Sequence, residues 1–449
     1  MTIRIRHSDD HRRVASPLPP GHAEPRTPLK FDEPILPKLR AVFLSATEDG
    51  LFAANRAMLE WVRGHVTHRF VGTRKAEAIH LIDFDEGASN KFVVSDEVVF
   101  VGADTRRYDL VLWINGFPVV VGETKTPLDE SRSWLDAAVD IHATYEARTP
   151  AFFVANALSF ACDGKEFRYG AIGQAPEHWL PWSRTTDPIR EPSLGGALRS
   201  AALLLRPRLL LDIIQVYTFF IRKATADGAL AAKILPRYPQ VESVEAIVER
   251  AHDQSRSQGL IWHHQGSGKT LLMAFAAAKL RMESSELNAP TIVVVLDRID
   301  LLDQLHAEFR AVGIKDLVVA ETGKKLHRVL ANGQGGVVVT TVFRFANAGL
   351  LTNRSNIVVM VDEAHRTQDG RLGADLKAAL PNATRIGLTG TPISQADRDT
   401  WNNFGHSGDP GNVLNHYSVE RSINDGATLP VHVETRLVDY QIASAITVG

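Results

Sequence analysis

The sequence predicts an α/β protein in which two successive domains each contain a β-sheet. Apolar, β-branched runs alternate with helical stretches through the second half of the chain, which favours a doubly wound parallel sheet there. In the first half, two continuous apolar runs flank Asn115-Gly116, a dipeptide typical of β-hairpins. A glycine-rich turn at residues 266–270 follows an apolar run and precedes an alanine- and leucine-rich helix, and the second domain is expected to form around it.

The composition is that of a globular protein with room for two or three domains. The chain has 449 residues, of which 44% are hydrophobic and 23% charged, and its formal net charge is −2. Any contact with nucleic acid must therefore depend on local patches. The single cysteine, Cys162, excludes a disulfide scaffold and fits a reducing cytoplasm. The most apolar window, residues 203–221, carries charged residues, so no membrane association is expected.

The turn Gly266-Ser267-Gly268-Lys269-Thr270 has the residues of a phosphate-binding loop. Its glycines let the backbone approach phosphate groups, and the following helix directs free N–H groups at them. Lys269 is expected to contact the β- and γ-phosphates of ATP, and the Thr270 hydroxyl to bind Mg²⁺. The usual pattern begins with a glycine where this chain has His263, so a glycine turn that only caps a helix is the alternative.

A second group of candidate residues lies on the hairpin strands. Asp109 is near the start of the first strand, while Glu123 and Lys125 are two apart and share a face of the second. Neighbouring carboxylates repel each other unless a cation lies between them, and all-oxygen ligands suit Mg²⁺. With Lys125 orienting or deprotonating a water, the group indicates a metal-dependent phosphodiesterase site. The alternative is a structural ion pair at a sheet edge.

This site requires a particular register of the hairpin. If the numbers of paired residues sum to 232, as 109 and 123 do, Asp109 lies directly opposite Glu123. A strict two-residue loop lowers the sum by one and places Asp109 on the other face of the sheet. The sequence therefore predicts either an odd-length loop, Asn115-Gly116-Phe117, or a β-bulge.

Acidic and hydroxyl residues follow two strands of the second domain at one edge of the predicted sheet. Asp362 comes directly after the strand at 357–361 and is expected to hold Mg²⁺, while Glu363 is expected to activate the attacking water. Thr389 and Thr391 belong to the turn after the next strand, where they would sense the γ-phosphate. A chance acidic pair and a plain turn are the respective alternatives.

Two further residues are predicted to contact the nucleotide base. Tyr238 and Gln240 lie some 25 residues before the glycine-rich turn, where they would stack on and hydrogen-bond an adenine. The alternative is a surface turn.

The predicted boundaries follow composition and turn signals. Residues 1–35 are rich in Pro, Arg, Asp and His and are expected to be a disordered arm. The first domain is expected at 36–185, a helical connector at 186–235 and the second domain at 236–430. Within the first domain we predict a helix over 128–148 and a strand over 151–155.

The motifs together resemble those of a known family. The series GSGKT, LDRIDLLDQL, TTVFRF, VDEAH and GLTGTP looks like the first motor lobe of superfamily-2 helicases and translocases. The upstream RYDLVLWINGFPVVVGETK looks like a nuclease of the PD-(D/E)xK class. In this order they resemble the R (restriction) subunit of type I restriction–modification enzymes over roughly residues 36–440. The resemblance implies a PD-(D/E)xK endonuclease domain with a mixed central sheet, followed by a RecA-like ATP-binding lobe with a doubly wound parallel sheet.

The resemblance also implies functions and partners. Such a subunit translocates on double-stranded DNA with ATP and cleaves unmethylated DNA with Mg²⁺, together with methyltransferase (M) and specificity (S) subunits. The matching positions are Asp109, Glu123 and Lys125 for cleavage, Lys269, Thr270, Asp362 and Glu363 for ATP–Mg²⁺, Thr389 and Thr391 for coupling, and Tyr238 and Gln240 for adenine.

Two departures from the family pattern are visible. Family members usually carry a Gln-x-x-x-Tyr pair on the helix after the nuclease strands, and this chain has Tyr145 but Ile141 in place of the glutamine. Only 57 residues follow Pro392, fewer than the ~150 of a motor lobe. Residues 431–449 are therefore expected to start a truncated second lobe, and the chain alone to hydrolyse ATP poorly without that lobe's arginines.

Two other functions are compatible with the same motifs. One is a DNA-repair or remodelling translocase whose nuclease-like domain binds DNA without cutting it. The other is a non-catalytic assembly module that docks on the methyltransferase. A restriction subunit cleaves DNA in a metal-dependent reaction, whereas the first alternative binds DNA without cleaving it. A restriction subunit also hydrolyses ATP, whereas the second alternative does not.

Overall fold

The computed structural model describes most of the chain between residues 35 and 430. The described residues are 2–4, 35–70, 74–85, 89–102, 104–189, 192–225, 228–253, 255–297, 302–314, 316–333, 335–364, 372–392, 394–395 and 398–430. Most of the predicted N-terminal arm, residues 5–34, and the predicted start of a second lobe, 431–449, lie outside the described residues. Residues 2–4, assigned from sequence to the disordered arm, form a strand.

The helices and strands alternate along the chain. The helices are α1 (Ile35–Glu48), α2 (Leu51–Val62), α3 (Trp134–Val139), α4 (Glu146–Arg148), α5 (Leu194–Leu204), α6 (Pro207–Asp212), α7 (Tyr238–His252), α8 (Lys269–Met282), α9 (Leu302–Ala311), α10 (Gly323–Ala331), α11 (Leu372–Ala379), α12 (Thr400–Phe404) and α13 (Val419–Asn424). The strands are β1 (Thr2–Arg4), β2 (Thr67–His68), β3 (Glu77–Ala78), β4 (Phe92–Val101), β5 (Thr105–Ile114), β6 (Phe117–Thr124), β7 (Leu158–Cys162), β8 (Phe167–Gly170), β9 (Leu180–Pro181), β10 (Phe219–Thr225), β11 (Gly228–Ile234), β12 (Gln258–His263), β13 (Thr291–Leu296), β14 (Leu317–Val319), β15 (Gly336–Thr341), β16 (Ile357–Val361), β17 (Thr384–Thr389), β18 (Ser394–Gln395), β19 (Arg398–Asp399) and β20 (Asn415–Tyr417).

The first domain contains a mixed sheet in the order β1-β4-β5-β6-β7-β8-β9. β6 and β7 run parallel, and the other neighbouring strands run antiparallel. The parallel pair is connected through α3, a π-helical turn at Asp140–Tyr145, α4 and a 3-10 turn at Pro150–Phe153. Helix α3 contacts β6 and β7, so the connection covers β6, the strand that carries Glu123. The predicted mixed sheet is confirmed.

The second domain contains a parallel sheet in the order β14-β15-β13-β16-β17-β12-β20. Every neighbouring pair in it is parallel, so the carboxyl ends of β12, β16 and β17 meet at one edge. One cluster of buried apolar side chains joins one side of this sheet to the connector and the first domain, and a second cluster fills the opposite side. The predicted doubly wound parallel sheet is confirmed.

Several local predictions in the first domain and connector are wrong. The strand predicted at 151–155 is a 3-10 turn that begins at Pro150 and buries Phe152 and Phe153, and the strand follows at β7. The helix predicted over 128–148 begins only at Trp134, because Ser133 caps it through Leu135 N and Asp136 completes the capping box. The predicted helical connector is helical only to residue 217, after which β10 and β11 form a hairpin.

Side-chain hydrogen bonds tie the two domains together. The Tyr169 hydroxyl donates to the carbonyl of Pro236 at 2.6 Å, and Arg168 Nη1 donates to the carbonyl of Asp425 at 3.2 Å. The Thr185 hydroxyl donates to Glu242 at 2.7 Å. The interface therefore lies between the β8–β9 side of the mixed sheet and the two ends of the second domain. Over the described residues, no helix has both the length and the hydropathy needed to cross a bilayer.

Candidate functional sites

The hairpin register decides whether the predicted cleavage residues meet. The turn is the two-residue Asn115-Gly116, and next to it Ile114 pairs with Phe117 and Trp113 with Pro118. The register then shifts, and Leu112 pairs with Val120 and Leu110 with Gly122. Val119 is thus the extra residue of a β-bulge on β6. The predicted bulge is confirmed, and the same register continued by one residue places Asp109 opposite Glu123.

Asp109 and Glu123 form a pair of neighbouring carboxylates in different surroundings. Asp109 Oδ2 accepts hydrogen bonds from the amide and the hydroxyl of Thr124, both at 2.9 Å. Glu123 is only 5% exposed, and burial raises its pKa, with the nearby Asp109 charge acting in the same direction. A hydrogen bond from Lys125 opposes this rise. A buried carboxylate beside a half-buried one is a chemically suitable set of oxygen donors for a divalent cation such as Mg²⁺.

Lys125 is held between two carboxylates. Its Nζ donates to Glu123 Oε1 at 2.8 Å and to Asp140 Oδ2 at 2.7 Å. Burial lowers the pKa of Lys125, but the bonds to Asp140 and Glu123 outweigh burial and raise the pKa above its usual value. Lys125 is therefore an ammonium ion at neutral pH, suited to stabilising negative charge.

The turn after α3 completes this cluster. The Tyr145 hydroxyl donates to Glu123 Oε2 at 3.2 Å. Ile141, at the position where the family pattern has glutamine, is completely buried in the apolar core. Asp140 was missed by sequence reasoning, because it contacts Lys125 only through the π-helical turn and no sequence spacing indicated that turn.

The glycine-rich turn has the geometry of a phosphate cradle. Gly266 and Gly268 have φ angles of 79° and 85°, in the left-handed region that favours glycine. Nothing lies within 4 Å of a Cβ placed on Gly266, so the turn leaves open space in front of its backbone. The buried Ser267 hydroxyl has no hydrogen-bond partner among the described residues. α8 begins at Lys269, so its first N–H groups face this end of the turn, and Thr270 lies half-buried in the first turn of the helix. These residues fit a bound nucleotide.

His263 accounts for the departure from the usual loop pattern. It is the last residue of β12 and is 1% exposed. Its Nε2 lies 3.1 Å from the Ser243 hydroxyl on α7 and 2.7 Å from Asn415 Oδ1 on β20. Burial lowers the pKa of His263 to about 3, so the imidazole is neutral. The side chain ties β12 to its neighbours beneath the loop.

The acidic residues after β16 lie next to the glycine-rich turn. Lys269 Nζ is 3.9 Å from Glu363 Oε1. Asp362 is 7% exposed, and its pKa is raised to about 6, first by burial and then by the Glu363 charge, while Lys269 lowers it. The predicted nucleotide residues on β12 and β16 are therefore brought together at one sheet edge.

The Thr389–Thr391 turn touches the glycine-rich turn. Thr391 N donates to the Thr389 hydroxyl at 3.1 Å, and the Trp262 indole donates to the carbonyl of Gly390 at 3.3 Å. A Cβ on Gly390 would lie 3.1 Å from the amide nitrogen of Gln265, so the two turns are in close contact. The two turns are therefore direct neighbours at this edge of the sheet.

The two predicted adenine contacts separate in the structure. Gln240 packs on the loop, since a Cβ on Gly268 would lie 2.7 Å from its Nε2. Tyr238 is 2% exposed, and its hydroxyl donates to Asp425 at 2.7 Å. Its ring packs edge-on against Trp182 and Tyr417. The prediction for Tyr238 needs correction, because in this arrangement its ring is not open to a base.

The fold and the two sites define a class of protein in which a nuclease-type domain precedes a helicase-like P-loop ATPase lobe. Residues 24–178 match the family model described as the N terminus of the type I restriction enzyme R protein, and residues 239–447 match the SWI2/SNF2 ATPase model. Together with the relatives described next, these two matches support an R-protein N-terminal region.

Individual relatives extend over both domains. The HindI endonuclease subunit of Haemophilus influenzae is 32% identical over 87% of this chain and 40% of its own length. The putative MjaIXP endonuclease subunit of Methanocaldococcus jannaschii is 28% identical over 83% of this chain and 37% of its own length. This chain thus spans about 40% of the first relative. A solved type ISP restriction–modification enzyme, LlaBIII bound to DNA, is 17% identical and covers 44% of this chain and 16% of its own, with a TM-score of 0.34.

Proposed function

We propose that this chain supplies the cleavage domain and the first motor lobe of a type I restriction enzyme. The assembled enzyme would use ATP to translocate on double-stranded DNA and would cut unmethylated DNA in an Mg²⁺-dependent reaction. The observation that carries this proposal is the β-bulge at Val119, because it puts Asp109 on the same face as Glu123 and Lys125. Since the relatives are more than twice as long as the matched part, translocation is proposed for the complete enzyme.

In the cleavage site, Asp109 and Glu123 would hold Mg²⁺. A bound Mg²⁺ supplies Lewis-acid polarisation of the scissile phosphate and lowers the pKa of a bound water. Lys125, which the two carboxylates keep protonated, would stabilise the negative charge that develops on the phosphate. Its raised pKa favours this electrostatic function over proton abstraction. Tyr145 fixes the Glu123 carboxylate by donating to its second oxygen.

In the motor lobe, Gly266, Ser267, Gly268 and Lys269 would bind the ATP phosphates, and Thr270 and Asp362 would hold its Mg²⁺. Glu363 would orient the attacking water. Thr389 and Thr391 would couple the state of the nucleotide to DNA, since their turn contacts the loop through Gly390. Gln240 alone would read the adenine edge.

The proposed partners are double-stranded DNA and the M and S subunits of the same system. The chain's small net charge implies that DNA is bound by local phosphate contacts, with sequence and methylation read by the partner subunits.

The cleavage assignment is tested with Asp109→Ala in the full-length subunit assembled with its M and S partners. We expect DNA cutting to be abolished and DNA-stimulated ATP hydrolysis to be retained, because Asp109 lies in the mixed-sheet domain. The matched control is Asp96→Ala, which removes an exposed carboxylate from the adjacent strand. Cutting by the Asp109→Ala enzyme would refute the nuclease site and favour a translocase with a non-cleaving DNA-binding domain.

The motor assignment is tested with Lys269→Ala in the same assembly. We expect ATP hydrolysis and translocation to be lost, with Lys324→Ala as a control that removes an exposed lysine of the same lobe. Normal translocation by the Lys269→Ala enzyme would refute the phosphate-loop assignment. If the unchanged enzyme docks on the methyltransferase but neither hydrolyses ATP nor cuts, the chain is an assembly module.

A further inference from the structure

We propose that Asp140 is a positioning residue of the cleavage site, which holds the Lys125 ammonium in place when Glu123 turns toward a bound divalent cation. The inference rests on the nuclease function proposed above. No family pattern or sequence spacing assigned Asp140 to the site. Its contact with Lys125, 2.7 Å from Oδ2 to Nζ, is the shorter of the two ion pairs that Lys125 makes.

The two anions beside Lys125 differ in their surroundings. The side chains of Lys125 and Glu123 are 9% and 7% exposed, whereas that of Asp140 is 42% exposed. Glu123 therefore lies on the buried side of the ammonium and Asp140 on the solvent side. A positive charge with three donors, fixed from both sides, cannot swing away from the cluster as a surface lysine would.

The π-helical turn is what brings Asp140 to this position. The amide of Glu146 donates to the carbonyl of Ile141, which is the i to i+5 bond of a π-helix. In such a turn, residues five apart lie on the same face, so Asp140 and Tyr145 both point at the Glu123–Lys125 pair. In a regular α-helix, the residue sharing the face of Tyr145 would be Ile141. The turn thus buries the isoleucine and presents the aspartate.

The rest of the turn makes different contacts. His142 Nδ1 lies 3.6 Å from Glu146 Oε2, and the Glu146 carboxylate also accepts from Gly173 N at 2.9 Å. Among the described residues of the turn and α4, Asp140 is therefore the acidic side chain that faces Lys125.

The need for Asp140 follows from competition for Glu123. Oε1 of Glu123 accepts a hydrogen bond from Lys125 and Oε2 accepts one from Tyr145, so a bound cation would have to share an oxygen that already accepts a hydrogen bond. A Glu123 oxygen that coordinates a cation has less electron density to offer the ammonium, and the two positive charges repel each other. Asp140 then remains as the anion that keeps Lys125 at the cluster and prevents its rotation into solvent.

The experiment compares Asp140→Ala and Asp140→Asn in the full-length subunit assembled with its partners. Losing a charge-assisted bond should slow single-turnover DNA cutting ~10–100-fold in Asp140→Ala. Asp140→Asn keeps an accepting oxygen in the same place and should cut at least ~3-fold faster than Asp140→Ala. Glu130→Ala, which removes an exposed carboxylate from the preceding loop, is the matched control and should cut normally.

A second readout does not depend on cutting. Calorimetric titration of the full-length subunit with Ca²⁺ measures the affinity of the divalent site. The Ca²⁺ affinity of Asp140→Ala should lie within about twofold of that of the unchanged protein, while Glu123→Ala should lose at least ~10-fold in Ca²⁺ affinity. Thermal unfolding midpoints of the Asp140 variants should remain within ~2 °C of the unchanged protein, since the side chain is half exposed.

Each outcome bears on the proposal. Normal cutting by Asp140→Ala overturns it, and so does a loss of Ca²⁺ affinity comparable to that of Glu123→Ala, which would make Asp140 a cation ligand. Equal rates for Asp140→Ala and Asp140→Asn also overturn it, because the retained oxygen would then have no function. If Asp109→Ala cuts DNA, the nuclease function itself fails. If Asp109→Ala is inactive while Asp140→Ala is normal, only this inference fails.

Discussion

Replacing Asp362 by asparagine should stabilise the nucleotide-free protein at neutral pH while abolishing ATP hydrolysis. Asp362 lies at the carboxyl end of β16, 7% exposed, and its pKa is raised to about 6, above the ordinary value of 3.8, mainly by burial. At pH 7.5 the protein therefore maintains a buried, ionised carboxylate that its fold disfavours. Asparagine has nearly the same shape, and its Oδ1 can keep accepting from the Glu363 amide, a bond of 3.0 Å in the structure.

The magnitude and the pH window follow from the pKa shift. The difference of about two pKa units corresponds to ~3 kcal/mol, since each unit is 1.36 kcal/mol. A carboxyl whose pKa is raised on folding binds more protons in the folded state. The free energy of unfolding of the unchanged protein should therefore fall as pH rises from about 4 to 6, relative to Asp362→Asn. The free energy of unfolding of Asp362→Asn should exceed that of the unchanged protein by ~3 kcal/mol above pH 6. The difference should vanish below pH 4, where the carboxyl is neutral in both the folded and the unfolded state.

The assay is urea denaturation of the full-length, ATP-free and Mg²⁺-free protein between pH 4 and 8. Glu321→Gln removes an exposed carboxylate of the same lobe and should change the free energy of unfolding by less than ~0.5 kcal/mol. A variant that is less stable than the unchanged protein at pH 7.5, or whose advantage is the same at pH 4 and 7.5, would refute the burial argument. Retained ATP hydrolysis would refute the proposed Mg²⁺ contact of Asp362.

Two further predictions concern buried polar groups of the second domain. The pKa of His263 is lowered to about 3, so only the unfolded state takes up a proton as the pH falls from 6.5 to 4.5, and the free energy of unfolding should fall by ~3 kcal/mol over that range. His263→Asn should remove this pH dependence in urea denaturation. An unchanged pH dependence in the variant would contradict the prediction. Arg250 and Asp409 form an ion pair of 2.6 Å with side chains 2% and 5% exposed. Asp409→Ala leaves the Arg250 guanidinium buried without this partner and should lower the free energy of unfolding by ~3–5 kcal/mol. The double variant Arg250→Met/Asp409→Leu removes both charges and should lose less. Equal losses in the two variants would show that the unpaired guanidinium is not the cause.

The sequence predicted the elements in which a local pattern reflects a global constraint. The strands at 291–296, 336–341 and 357–361 were predicted because a parallel sheet covered on both faces requires continuous apolar residues. Either an odd-length loop or a β-bulge was predicted from the chemical requirement that two carboxylates lie on one face, and the structure has a two-residue turn with a bulge. In both cases the requirement could be read from residues within one strand or one hairpin.

The secondary-structure predictions from the sequence were wrong where tertiary packing overrode local preference. Phe152 and Phe153 are strand formers by composition, but their rings fill the core against Tyr108 from a 3-10 turn that Pro150 initiates. The apolar run after residue 218 was expected to continue a helix, whereas it forms the hairpin of β10 and β11. Pro150 and the dipeptide Asp227-Gly228 are the local sequence signals that could have indicated these two outcomes.

The candidate site residues also divide into those that a local sequence pattern indicates and those whose position depends on distant parts of the chain. The candidate phosphate-loop residues could be predicted because glycine, lysine and threonine are needed there at fixed spacing. Asp140 was missed because its contact depends on one extra residue per helical turn, and Tyr238 was placed at the nucleotide because its burial against Trp182 involves a distant segment.

Strand β20 limits how this protein can be divided into fragments. It is the last strand of the parallel sheet and covers the edge of β12, with Leu414 N donating to Leu260 O at 2.8 Å and His264 N donating to Tyr417 O at 3.1 Å. An ATPase fragment that ended after Thr391 would contain all the nucleotide residues and still leave the strand bearing the phosphate loop as a bare, aggregation-prone edge. The shortest well-behaved ATPase fragment should extend beyond Asp425, whose side chain accepts a hydrogen bond from Tyr238 within the second domain and whose backbone carbonyl accepts one from Arg168 of the mixed-sheet domain.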